Sequence, residues 1–131
     1  MRSILITFTI SFLTTFSVAG QGIEFYHGTW EEAILKAKAE DKIIFVDAFT
    51  TWCGPCKRMA ASTFPDPAVG VLFNQHFLSL KIDMEKEMGL EFRKKFPVNA
   101  YPTLFFIDAD QKLIKQVVGA KSPADLIALG E

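Results

Sequence analysis

The sequence predicts an α/β fold, a central mixed β-sheet flanked by helices on both faces. Three observations predict it. Ile43 to Phe49 is an apolar run broken only by Asp47, the pattern of a central strand buried on both sides. Strand-like and helix-periodic segments alternate through most of the chain, as in α/β proteins. Near the C-terminus, Thr103 to Ile107 and Leu113 to Val118 read as strands joined by the polar turn Asp108 to Lys112, a hairpin. The expected order is β-α-β-α-β-α-β-β-α.

Each element has a local reason. Ile23 to His27 reads as a short first strand. Thr29 with Glu32 three residues on makes a capping box, and Trp30, Ala33, Ile34 and Ala37 form an apolar stripe at helical spacing. Asp41 and Lys42 turn the chain into the Ile43 strand. A helix begins within the segment WCGPCK at positions 52 to 57, and Pro65 and Pro67 interrupt it because proline breaks a helix interior. A further helical piece runs from about Asp66 to Gln75, followed by a strand from Phe77 to Ile82. Glu85 to Phe96 is helical, acidic at its start and basic at its end, which complements the helix dipole. Ser122, Pro123 and Asp125 open a last helix with a cap, a first-turn proline and an early acid.

With 131 residues, the chain is long enough for one domain around one core. Half of it is hydrophobic and thirteen residues are Phe, so the core needs no covalent staple. Its net charge is −1, with no basic run that would suggest nucleic acid. We expect a monomer.

Residues 1–20 differ in kind. Arg2 is their only charge, Ile4 to Phe16 is apolar, and Ser17, Val18, Ala19 and Gly20 follow, the layout of a cleavable secretory signal peptide. The rival is an uncleaved anchor, but thirteen residues fall short of the roughly 20 that span a bilayer. Cleavage after Ala19 or Gly20 leaves a domain from residue 22 to 131, with thirteen basic against fifteen acidic residues and a net charge of −2. The expected location is periplasmic or extracellular.

Export changes how cysteine is read. There are two, Cys53 and Cys56. A disulfide closing so small a ring stabilises by only about 2 kcal/mol on the loop-entropy model. A chemical role accounts better for the pair. Cys53 falls at a helix start after a buried strand, where unpaired N–H groups favour the thiolate, and thiol pKa values at such sites drop to roughly 3.5–7.5. Cys56 lies one turn on, placed to resolve a mixed disulfide. The rival is half of a zinc site. Zinc takes four ligands, and only His27 and His76 remain, without ligand-like spacing, so we expect no metal. Asp47 is the other informative residue. A carboxylate inside IIFVDAF is costly to bury, and burial raises its pKa. From there it could exchange a proton with Cys56. The bland alternative is an edge strand with Asp47 in solvent.

VDAFTTWCGPCK resembles the active-site segment of thioredoxins, including the acid six residues before the first Cys. AYPT at 100 to 103 resembles the family's cis-proline loop, and VGAKSPADL at 118 to 126 resembles its last loop and helix start. The resemblance covers residues 22 to 131. STFPDPAV at 62 to 69 departs from plain thioredoxins and is more similar to exported thioredoxin-like proteins and the C-terminal domain of DsbD-type reductants. Ser79 or Lys81 falls near the place where some members carry a basic partner for the acid.

The resemblance implies a thioredoxin-like fold and a protein thiol–disulfide oxidoreductase, with Cys53, Cys56 and Asp47 catalytic. It needs no cofactor beyond the Cys53–Cys56 disulfide. Pro102 is then cis, which X–Pro bonds tolerate, and Tyr101 pairs through its backbone with an extended substrate. Trp52, Gly54, Pro55, Tyr101, Pro102 and Gly119 contact that substrate, with Ala120 beside them. Lys57 either adds positive charge near the thiolate or is an ordinary solvated residue. The expected partners are cysteine-containing exported proteins and a membrane-bound electron donor. The expected direction is reduction. The alternatives are an oxidase or isomerase, and a binding module in which the Cys pair is incidental.

Overall fold

The computed structural model describes residues 21–131. The expected signal peptide lies outside the described residues. The elements are α1 (Trp30–Glu40), β1 (Ile43–Phe49), α2 (Gly54–Arg58), α3 (Pro67–His76), β2 (Phe77–Asp83), α4 (Glu87–Lys95), β3 (Thr103–Ile107), β4 (Leu113–Val118) and α5 (Pro123–Gly130). One turn of π-helix, Met59–Thr63, follows α2 directly.

Four strands form one sheet in the order β2-β1-β3-β4. β1 runs parallel to β2 and antiparallel to β3, and β3 and β4 form the expected hairpin. The sheet is therefore mixed, as predicted. Strand alternation sends successive side chains to opposite faces. Ile44, Val46 and Ala48 join Leu80, Ile82 and Phe105 in a core that packs against α1 and α4 through Ala33, Ala37 and Phe92. Phe45 faces the other way, into a core with Met59, Phe64, Phe73, Phe106 and Leu126, beneath the π-turn, α3 and α5. Much of this second core is aromatic. Phe45 meets Phe73 edge-on at 4.8 Å and Phe106 at a tilt at 5.2 Å, and such pairs add about 0.5–1.5 kcal/mol each beyond burial.

The caps match the sequence. Thr29 Oγ1 accepts from Glu32 N, and Glu32 Oε2 accepts from Thr29 N. Asp66 caps α3 by accepting from Ala68 N and Val69 N, with Pro67 in the first turn. Ser122 caps α5 by accepting from Asp125 N.

Three expectations need correction. Ile23 to His27 is not a strand. Only Phe25 bridges to Ser79, in parallel, because neighbouring N–H groups bind elsewhere: Ile23 N donates to Phe64 O and Glu24 N to Asn74 Oδ1. The fourth helix starts at Glu87 rather than Glu85, because Asp83 Oδ1 accepts from Glu85 N in a side-chain turn that competes with helix. The helix after WCGPC does not run regularly to Pro65. Its last turn widens so that Phe64 N reaches Met59 O, five residues back.

Candidate active site

The sheet topology brings the singled-out segments to one end. Ala48, near the exit of β1, pairs with Thr103 at the start of β3, and Thr103 pairs with Val118 at the end of β4. Phe49 pairs with Asp83 at the end of β2. The cysteine segment, the Tyr101–Pro102 peptide, Gly119 and Glu85 therefore leave the sheet at the same edge.

Cys53 is the N-cap residue of α2, and its Sγ accepts from Cys56 N at 3.2 Å. Its own N–H points back to Thr50 O at 3.4 Å, and its carbonyl accepts from Lys57 N. Cys53 and Cys56 form a disulfide with Cα atoms 5.3 Å apart. They expose only 3% and 4% of their surface, so a reacting sulfur must be guided to them by neighbouring groups. Pro55 sits in the first turn of α2, where it displaces no hydrogen bond. Gly54 and Lys57 are exposed on the same short helix.

Asp47 is 1% exposed, on the β1 face that also carries Phe45. That face looks toward the layer that holds the π-turn, α3 and α5. The edge-strand alternative is thereby excluded. Neither carboxylate oxygen has a hydrogen-bond partner. Lys81, its register partner across the parallel ladder, places Nζ 3.7 Å from Oδ2, an ion-pair distance too long for a hydrogen bond. Burial pushes the Asp47 carboxyl up from 3.8 to about 6, and the Lys81 charge holds it from rising further. Lys81 is held there by rings: Nζ lies 4.8 Å from the Phe49 centroid, 5.3 Å from Phe64 and 5.7 Å from Phe25. Of the two residues named as possible basic-partner positions, Lys81 supplies the charge. Ser79 is buried on β2 with its hydroxyl unpartnered.

The flanks are aromatic. Trp52 is 64% exposed, not a core residue. Its ring stands edge-on to Tyr101, centroids 5.8 Å apart, and its Nε1 donates to Glu85 Oε1 at 2.7 Å. The Tyr101–Pro102 peptide is cis. Pro102 is buried and its carbonyl accepts from Gly119 N at 2.8 Å, linking two of the three loops. Gly119 has φ +97°, which favours glycine, and a side chain there would meet open space. Ala120 beside it is exposed.

His27 and His76 are exposed and distant in sequence from the cysteine pair. Among the described residues no group of three or more His, Cys, Asp or Glu is arranged to hold a metal, and no helix is long and apolar enough to cross a membrane. Sequence reasoning missed Glu85 and Arg93. Both read as helix residues arranged for the dipole. The pattern Asp83-Met84-Glu85 after a strand is the side-chain turn that could have separated Glu85 from the helix.

Comparison with known proteins agrees with this geometry. The profile of the thioredoxin-like domain family matches residues 30–131. Thioredoxin H1 of Arabidopsis thaliana is 36% identical over 93 residues, 71% of this chain and 75% of that protein. The thiol:disulfide interchange protein DsbD of Pseudoalteromonas atlantica is 29% identical over 86 residues, 65% of this chain, and the match spans 14% of its length. A solution structure from Bacteroides thetaiotaomicron, described as a candidate disulphide isomerase, superposes with a TM-score of 0.73 at 48% identity, covering 85% of this chain and 94% of that one. A disulfide at a helix start beyond a central strand, on a mixed sheet with cores on both faces, places the chain in the thioredoxin-like family of thiol–disulfide oxidoreductases.

Proposed function

We propose that this chain is a protein-disulfide reductase acting on exported proteins after removal of residues 1–20. The observation that carries the reading is the Cys53–Cys56 pair at the start of α2, with a buried acid of raised pKa on the strand leading to it. In the reduced enzyme the Cys53 thiolate attacks one sulfur of a substrate disulfide. The substrate S–S bond breaks, a mixed disulfide forms, and the released thiolate takes a proton from solvent. Asp47, ionised above about pH 6, accepts the Cys56 proton. Cys56 then attacks Cys53 Sγ, closing the enzyme disulfide and freeing the second substrate thiol. The substrate gains two electrons and the enzyme loses two.

Trp52, Gly54, Pro55, Tyr101, Pro102 and Gly119 form the groove for an extended substrate segment. Their convergence at one sheet end supports this role. The reducing direction rests on the Gly54-Pro55 dipeptide and on the lack of a histidine between the cysteines that would stabilise a thiolate strongly. An exported reductant must be recharged, so a membrane-bound electron donor is its partner. A second reading, isomerase, is favoured by the description of the Bacteroides thetaiotaomicron structure.

Insulin reduction and equilibration against a glutathione series test the proposal. We expect catalytic turnover and a potential nearer the thioredoxin value of about −270 mV than the DsbA value of about −120 mV. A potential above about −180 mV, where protein disulfide isomerase lies, would replace reductase by isomerase or oxidase. No turnover at all would favour a binding module.

A further inference from the structure

The aromatic wall beside Cys53 is braced from behind. Trp52 is largely exposed yet fixed at two points, by Glu85 Oε1 on its indole N–H and by the Tyr101 ring against its own. Both supports lead to one side chain. Arg93, on α4, donates from Nη2 to Met84 O at 2.6 Å, and Met84 directly precedes Glu85. The same Nη2 reaches the Tyr101 hydroxyl at 3.3 Å. One guanidinium therefore spans the end of β2 and the loop before Pro102, the two segments that hold Trp52.

Arg93 Nε is buried and has no hydrogen-bond partner among the described residues. A buried donor left unpaired calls for a reason. Stability alone supplies none, since an apolar side chain would avoid the penalty. A planar fork whose direction is dictated by two other acceptors supplies one.

We infer that Arg93 is a positioning residue that sets the gap between Trp52 and Tyr101 and thereby selects extended polypeptide substrates at Cys53. The inference rests on the proposed reductase reading for its substrate, but the brace itself is independent of reaction direction. Tryptophan and tyrosine are the side chains that most often carry binding energy at such contacts, so their spacing governs docking more than it governs the sulfur chemistry.

Two measurements on the whole protein test this. In Arg93→Met, KM for insulin is expected to rise about tenfold while kcat moves by less than about threefold, the sign of lost docking. In a Trp30→Phe background, where Trp52 is the remaining tryptophan, Arg93→Met should increase iodide quenching of its fluorescence. Arg93→Lys, which keeps a donor for Met84 O, should recover part of both effects. If Arg93→Met does not fold, Tyr101→Phe removes only the hydroxyl held by Arg93 and should increase iodide quenching of Trp52 in the same background. An unchanged KM and unchanged quenching in a folded variant would overturn the inference, as would an equal loss in kcat and kcat/KM. If the unmodified protein fails to reduce insulin, the reductase reading falls, while the quenching difference still decides whether the brace exists.

Discussion

Replacing Asp47 by asparagine separates the stability of the site from its chemistry. Asp47 is 1% exposed, with Lys81 at 3.7 Å as its compensation, and its carboxyl titrates at about 6 instead of 3.8. The folded protein thus holds this proton more tightly than the unfolded chain. Between the two pKa values the folded state binds more protons, so stability falls as pH rises through that window and is level on either side. A shift of about two units corresponds to about 3 kcal/mol of destabilisation, fully present at pH 8. At pH 4 less than about 1 kcal/mol of it has developed. An amide at this position cannot ionise, so the Asp47→Asn variant should gain about 2 kcal/mol relative to the parent between pH 4 and pH 8. Any constant difference between a buried amide and a buried acid cancels in that comparison. Urea unfolding of the oxidised proteins at both pH values provides the measurement, and the midpoint difference should grow by about 1–2 M if the slopes match. The same variant should reduce insulin more slowly at pH 7–8, because it removes the proton acceptor proposed for Cys56. A stability difference identical at both pH values would refute the buried-acid argument. A stabilised variant with undiminished turnover would keep the burial and remove the proton-transfer role.

Three further outcomes follow from the same geometry. Lys81→Met removes the charge that restrains the Asp47 pKa, so the pH at which insulin reduction becomes fast should move upward; a profile that stays or moves down would show that Lys81 does not act on Asp47. Cys53→Ser should abolish exchange and Cys56→Ser should trap mixed disulfides through Cys53, and alkylation of the reduced protein near pH 6 should label Cys53 first by mass spectrometry, whereas preferential labelling of Cys56 would reverse their roles. Thr29→Ala removes the cap of α1 and should lower stability by about 1 kcal/mol without changing turnover, read by urea unfolding and the insulin assay side by side.

What the sequence made legible was what neighbours in the chain decide. The capping box at Thr29, the Asp66-Pro67 helix start and the hairpin after Pro102 depend on residues a few positions apart. Asp47 was legible as a buried acid because the apolar residues on both sides of it carry it into the interior with them. What stayed hidden depends on distant pairing. Ser79 and Lys81 were equivalent candidates until the parallel register set Lys81 opposite Asp47. The Phe25 segment looked like a strand, but only Tyr26 N bonds to β2, while the N–H groups of Ile23 and Glu24 are claimed by Phe64 and Asn74, far along the chain. Arg93 matched the dipole pattern of α4 so well that nothing local suggested its reach to Tyr101.

The anchoring of the first described residues bears on the order of events in biogenesis. Gly22 is buried, Asn74 Nδ2 donates to its carbonyl, and Gly70 of α3 lies so close to it that no side chain fits between. Scission of the proposed leader after Ala19 or Gly20 leaves Gly20 and Gln21, or Gln21 alone, ahead of this clamp. Only one or two residues then separate the cut from the clamped backbone, which leaves little free chain on that side of the bond. On the proposal that residues 1–20 are a leader, a precursor that folds before it is cut should resist cleavage, which would tie the timing of processing to the docking of α3.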